Sequence, residues 1–193
     1  MDASENDRLK LTLPTFFHIF VRSFFIQGSF SFTYRQNSGF AFCLEPAGNH
    51  LWRTPEERRA FLLRHMEYYN GNPFMVTLVL GAVARLEEML KRGEIGESTI
   101  AGFKKAVGAA TGSIGDRFFW ATLRPLSIIV GLFSIYYFGI RGIVVTLALF
   151  NVPTILLRWH WLRRGYALGT AVVGEIQNRH VHSSIDRMET SVA

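Results

Sequence analysis

The chain has 193 residues, 49% of them apolar, with 17 phenylalanines and a formal net charge of +6 from 21 basic against 15 acidic side chains. That is room for one domain with a real core, and the aromatic load is unusual for a soluble domain but ordinary for a chain partly dissolved in lipid. The single cysteine, Cys43, excludes an intrachain disulfide, and Arg117, Arg124, Arg158, Arg163 and Arg164 bracket the longest apolar tract as membrane flanks rather than forming a nucleic-acid patch.

Residues 1–14 form a polar tail whose acidic start, Met1-Asp-Ala-Ser-Glu-Asn-Asp, has the wrong charge for a secretory signal, so insertion is expected to use internal segments. A single membrane domain is expected over residues 15–177. Its first apolar segment, Phe16 to Phe32, is aromatic almost all round, with His18, Arg22 and Gln27 in one broad stripe. This pattern suits a helix in the membrane interface or packed on another subunit, or else a buried helix of a soluble protein. The polar run Tyr34 to Gly39 interrupts it, and a turn is expected around Pro46-Ala-Gly-Asn49, with Cys43 as a small buried residue.

Thr54-Pro-Glu-Glu57 is the clearest helix start, a capping box with proline at the first helical position. The helix is expected to run to about Tyr69 and to stop in Asn70-Gly-Asn-Pro73. Helical spacing puts His65 on the apolar face with Phe61, Leu62, Tyr68 and Tyr69, and turns Glu67 outward. The apolar block Phe74 to Val83 continues to Lys91, with Glu87 placed to pair with Lys91. Ser98 can cap the next helix, and Gly102, Gly108 and Gly112 suggest close helix contacts or a break in the backbone.

The polar turn Gly112-Ser-Ile-Gly-Asp116 runs straight into the apolar tract 118–157, divided at Gly139-Ile-Arg-Gly142. Each half offers about 15 apolar residues, short of the roughly 20 of one full span, so a helical hairpin or a pair of tilted, kinked spans is expected. Residues 178–193 read as a flexible tail. The fold class is therefore an all-α membrane protein: amphipathic, interfacial N-terminal helices followed by two short, broken or tilted membrane helices.

Catalytic signatures are incomplete. The Gly108–Gly115 run lacks the Lys-Ser/Thr of a phosphate loop, His65-Met-Glu67 has no following PCxxC, and His180-Val-His182 lacks a third metal ligand. Neither a metal nor a cofactor is expected, and the chain reads as a non-enzyme. What remains is a set of polar and aromatic groups beside apolar segments: Gln36, Asn37, His65, Glu67, Asn70, Asp116, Trp120 and Arg124. Amides and carboxylates take two sugar hydroxyls at once, and an aromatic ring covers an apolar sugar face. Taken singly, each has a structural reading: His65 as a core histidine, Glu67 as a solvated residue, Asp116 as a helix cap, Arg124 as a snorkelling flank.

Several motifs, in order, carry a resemblance: Arg22-Ser-Phe-Phe-Ile-Gln27, Gln36-Asn-Ser-Gly-Phe-Ala-Phe42, Arg64-His-Met-Glu-Tyr-Tyr-Asn70 with Pro73-Phe74, Gly112-Ser-Ile-Gly-Asp116, Phe119-Trp-Ala-Thr-Leu-Arg-Pro125 and Gly165-Tyr-Ala-Leu-Gly169. The chain resembles the IID membrane subunit of the mannose/fructose/sorbose class of the bacterial sugar phosphotransferase system. The resemblance implies a multi-pass subunit of the inner (cytoplasmic) membrane that forms a hexose path with a IIC subunit, in a trimer of such pairs. Phosphoryl transfer is then left to cytoplasmic IIA and IIB partners. Gln36, Asn37, His65, Glu67, Asn70, Asp116 and Trp120, picked out above by their chemistry, are the residues expected to bind the sugar. Family members commonly continue beyond the Gly-Tyr-x-x-Gly stretch, so a shortened homologue with a regulatory or scaffolding role is the alternative.

Overall fold

The computed structural model describes residues 9–177, and within them the chain is helical, with two isolated β-bridges and no strand. The helices are α1 (Leu13–Ser23), α2 (Asn37–Leu51), α3 (Pro55–His65), α4 (Val76–Lys91), α5 (Glu97–Gly115), α6 (Arg124–Phe138), α7 (Gly142–Leu168) and α8 (Val172–Gln177). A π-helical stretch, Asp116–Leu123, joins α5 to α6 without a break.

The centre is α4, apolar almost all round and buried along nearly its whole length. It packs on α1, α2, α5 and most extensively on α7. The α4–α7 crossing is close because both helices present glycine there. A Cβ on Gly165 would lie 2.0 Å from the Leu78 carbonyl oxygen, and one on Gly81 would lie 2.0 Å from that of Leu162. Backbone rather than flexible side chain occupies that space, so only glycine fits.

The two apolar halves form a helical hairpin, α6 folding back on α7 through a short 3₁₀ turn at Gly139–Arg141. The run Glu97–Ile176 contains a helix apolar and long enough to cross a membrane by length and composition, and only 11% of its most apolar window is buried. Tyr136, Ile140 and Val144 are 82%, 81% and 68% exposed. So much bare apolar surface belongs to lipid or to a partner, not to water.

Several elements differ from the sequence expectation. The first helix ends at Ser23, well short of Phe32, where the Ser23 hydroxyl turns back to the Phe20 carbonyl at 2.7 Å. The turn expected at 46–49 is helix interior, because α2 runs through Pro46. Proline has no N–H for the Phe42 carbonyl, and Arg22 Nη1 supplies that hydrogen bond at 2.9 Å while also pairing with Glu45. The capping box forms as expected, Glu57 N donating to Thr54 Oγ1 at 3.2 Å and Thr54 N to Glu57 Oε2 at 3.1 Å. That helix nevertheless stops at His65, four residues before Tyr69, and leaves Leu62 and Tyr68 exposed. Ser98 does not cap α5, which begins at Glu97 behind Gly96.

Arg158 is no flank: it is buried, donates to the Ser23 carbonyl and hydroxyl at 3.1 and 3.0 Å, and lies over the rings of Phe24 and Phe74. The Gly108–Asp116 break is likewise absent. The helix widens instead of opening, and the π turns sit just ahead of Pro125, whose ring would press on a carbonyl of a regular α-turn. The Thr122 hydroxyl reaches the Arg117 carbonyl, five residues back, at 3.1 Å. Asp116 therefore lies inside a continuous helix and caps nothing.

Replacing Gly165 with valine forces α4 and α7 apart. The expected loss is about 1–3 kcal/mol or more, seen as a lower thermal unfolding midpoint in detergent, whereas Gly102→Ala, inside α5 but facing open space, should leave the midpoint unchanged or slightly raised.

Candidate functional site

The site is built on the segment 66–75, between α3 and α4, which runs along one ridge of α5. Lys104, Gly108, Gly112, Asp116, Trp120 and Arg124 recur every four residues, so each neighbours the next along a ridge that winds round α5 and the π-helical stretch after it. The segment follows that ridge in step. A Cβ on Gly108 would meet the Asn70 carbonyl at 3.3 Å, one on Gly112 would lie 3.9 Å from Gly71 Cα, and one on the neighbouring Gly115 would lie 2.4 Å from Asn72 Cβ. Asn72 Nδ2 donates to Asp116 Oδ1 at 2.9 Å, and Phe74 packs edge-on against Trp120 with ring centres 5.5 Å apart. The glycines expected to allow close contact or a break are used, at 108, 112 and 115, for contact.

From the other side, α2 pins the same segment. Arg35 has a left-handed φ of 58°, uncommon for a non-glycine residue, and directs Gln36 inward. Gln36 N donates to the Tyr69 carbonyl at 2.9 Å, and its Oε1 accepts from Gly71 N at 3.2 Å. Asn37 Nδ2 donates to the Met66 carbonyl at 2.8 Å. Asn72 Oδ1 accepts from Phe74 N and Met75 N at 2.9 and 3.2 Å, starting the turn into α4.

Beneath the segment lies a fully buried carboxylate. Glu87 takes a two-pronged ion pair from Arg64, at 2.7 Å to Oε1 and 2.8 Å to Oε2, with His65 Nε2 at 3.0 Å and Trp52 Nε1 at 3.1 Å. The expected Glu87–Lys91 pair does not form, since Lys91 reaches Glu57 at 2.7 Å instead. Burial alone would push the Glu87 carboxyl up; the hydrogen bonds from Arg64 and His65 overcome it and hold the group at about 2. Burial pushes the His65 imidazole below its ordinary value despite Glu87, and its Nδ1 has no partner among the described residues. Those facts fit a neutral ring carrying its proton on Nε2, since a partnerless acceptor costs less than a partnerless charge.

Lys104, also buried, donates to the Arg64 carbonyl at 2.9 Å and lies 3.9 Å from Glu67. The neighbouring Glu88 is equally buried on another side of α4. It accepts from Leu11 N at 3.0 Å, from Arg85 Nη1 at 2.7 Å and from the Tyr166 hydroxyl.

Of the seven candidate residues, Gln36, Asn37 and His65 are buried with their polar atoms turned to protein, whereas Glu67, Asn70, Asp116 and Trp120 have exposed side chains. All seven sit on or against the 66–75 segment and the α5 ridge. Sequence reasoning missed Arg64, Asn72, Glu87 and Lys104. The Asn72-Pro73 pair ahead of an apolar block was a readable turn signal. Nothing in the sequence marked Glu87 as buried, because its partners come from α3 and the α2–α3 connection. Among the described residues no group of His, Cys, Asp and Glu could hold a metal. His180 and His182 lie outside the described residues.

The class defined here is an all-α membrane protein with a polar segment clamped beside an apolar hairpin. Residues 10–192 match the family profile of the "PTS system mannose/fructose/sorbose family IID component", and the chain belongs to that family. It is 31% identical over 169 residues to the mannose-specific EIID component of Escherichia coli K12, covering 86% of this chain and 60% of that protein. Identity to the fructose permease IID component of Bacillus subtilis is 27%, covering 89% and 63%. The chain thus spans about three fifths of the length of these relatives. Among solved structures it is similar to the mannose transporter ManYZ in complex with microcin E492, with a TM-score of 0.79 and 29% identity, over 93% of this chain and 66% of that one. A second membrane-protein structure gives a TM-score of 0.86 at 29% identity, over 94% and 67%.

Glu87→Ala strands Arg64 in the interior and is expected to cost about 3–5 kcal/mol, read as a collapse of the detergent unfolding midpoint. The pH dependence has two stages. The unfolded state takes up the His65 proton first as pH falls below the ordinary 6.5, so stability drops there, and His65→Asn abolishes that stage. Stability from Glu87 is complete above its ordinary 4.5 and disappears as pH falls through about 2.

Proposed function

We propose that this chain is the IID membrane subunit of a phosphotransferase sugar permease, lining with a IIC subunit the path for a hexose and performing no chemistry itself. The observation that carries the reading is the clamped 66–75 segment. Exposed Glu67 and Asn70 on that segment, and Asp116 and Trp120 on the helical stretch beside it, offer amide, carboxylate and aromatic faces, the combination that suits sugar hydroxyls and an apolar sugar face. Gln36, Asn37 and His65 hold that segment in position rather than touching sugar. The similarity to ManYZ, together with the names of the relatives, supports the pairing with IIC; cytoplasmic IIA and IIB would carry the phosphoryl group. The hairpin α6–α7 supports more than one crossing of the bacterial inner membrane, with its bare apolar face against lipid or IIC.

Co-expression with IIA, IIB and IIC subunits and measurement of labelled mannose uptake tests this. Asp116→Asn and Trp120→Ala are expected to lower uptake by about tenfold or more, in the range of one lost charged or stacking contact, with the IIC–IID complex still assembled. Unchanged uptake and binding in both variants overturns the assignment.

A further inference from the structure

Beyond the apolar part of α7 the helix carries an arginine-rich stripe that the permease reading does not use. Trp159, His160, Arg163, Arg164, Ala167 and Leu168 line an open cleft of about 390 Å³. Arg163 lies 21 residues beyond Gly142, the start of α7, or about 30 Å of helix at roughly 1.5 Å per residue. That length matches the hydrocarbon thickness of a bilayer, about 30 Å. If α7 spans, the cleft sits at headgroup depth, opposite the Gly139–Arg141 turn.

Among the described residues, only Arg164 of the cleft's basic groups meets a carboxylate. Arg164 pairs with Glu175 at 2.7 Å. Arg163 and His160 are exposed and have no carboxylate within ion-pair distance among the described residues. Trp159 is held edge-on against Phe20 at 5.4 Å between ring centres, which fixes one wall. Tryptophan beside arginine at the end of an apolar helix is the chemistry of the membrane interface.

We propose that this cleft binds the phosphate headgroup of an anionic phospholipid, with Arg163 as its main charge and its acyl chains lying on the apolar face of α7. The occupant is a lipid rather than a free phosphate because the basic cleft continues directly into bare apolar surface at Val152, Ile155 and Leu156.

The test uses the full chain purified in detergent, with bound lipid counted by native mass spectrometry after addition of phosphatidylglycerol or phosphatidylcholine. Phosphatidylglycerol is expected to be retained in excess. Arg163→Gln should lower that retention by about fivefold, the effect of one interfacial arginine, and Arg163→Lys should largely keep it. Arg141→Gln, at the other end of the hairpin, should leave it unchanged. Equal retention of the two lipids, or equal retention by Arg163→Gln, overturns the proposal. So does displacement of the lipid by inorganic phosphate at the same concentration, which marks a free-phosphate site. Should Arg163→Gln lose its helical circular dichroism, high salt on the unaltered chain decides: loss of the phosphatidylglycerol excess supports the site, and persistence of that excess overturns it.

Discussion

The Glu87 carboxylate, fully enclosed by protein, is the interaction on which the rest of the arrangement depends. An ionised group there is tolerable only because Arg64, His65 and Trp52 spend their donors on it. Those three residues come from the end of α3 and from the connection before it, so satisfying one charge fixes where α3 lies on α4. It also fixes where the chain leaves α3, and hence where the 66–75 segment begins. Glu88 does the same for the residues just ahead of α1 and for α7, through Leu11 and Tyr166. Two successive glutamates thus tie the central apolar helix to different neighbours.

Above that anchor, the segment is shaped by backbone rather than by large side chains. Gln36 and Asn37 bond to its amide and carbonyls, and the glycine face of α5 lets it lie almost in contact with helix backbone. Polar backbone beside a membrane hairpin is costly unless it is paired, and here Tyr34, Gln36, Asn37 and the segment's own Asn72 supply the partners. The side chains of Asn70, Asp116 and Trp120 stay exposed, although Asp116 accepts from Asn72 and Trp120 packs on Phe74. A π-helical stretch at the same place widens the helix between Asp116 and Pro125, a deformation common beside functional sites.

Local signals were readable where the chemistry is local. The capping box at Thr54, the buried Cys43, the outward Glu67 and the all-helical, membrane-bound character follow from adjacent residues or from composition. Errors arose where a distant residue rescued a local liability. Pro46 suggested a turn because proline wastes a carbonyl, yet Arg22, twenty-four residues earlier, takes up that carbonyl. Gly108 to Gly115 suggested a break because glycine destabilises helices, yet the segment packed on them repays the loss.

By itself the sequence determined that this is a helical membrane chain of the IID family, with polar groups ahead of a long, divided apolar tract, because lipid solubility and motif order need no coordinates; that the tract folds as a hairpin was decided by the structure. Only the tertiary structure decided which polar residues are spent. Gln36, Asn37, His65, Glu87 and Arg158 turn inward to pair with groups remote in the chain, while the side chains of Asn70, Asp116 and Trp120 stay exposed. Hydrogen-bond partners separated by twenty to more than a hundred residues are set by packing, and no spacing rule along the chain encodes them.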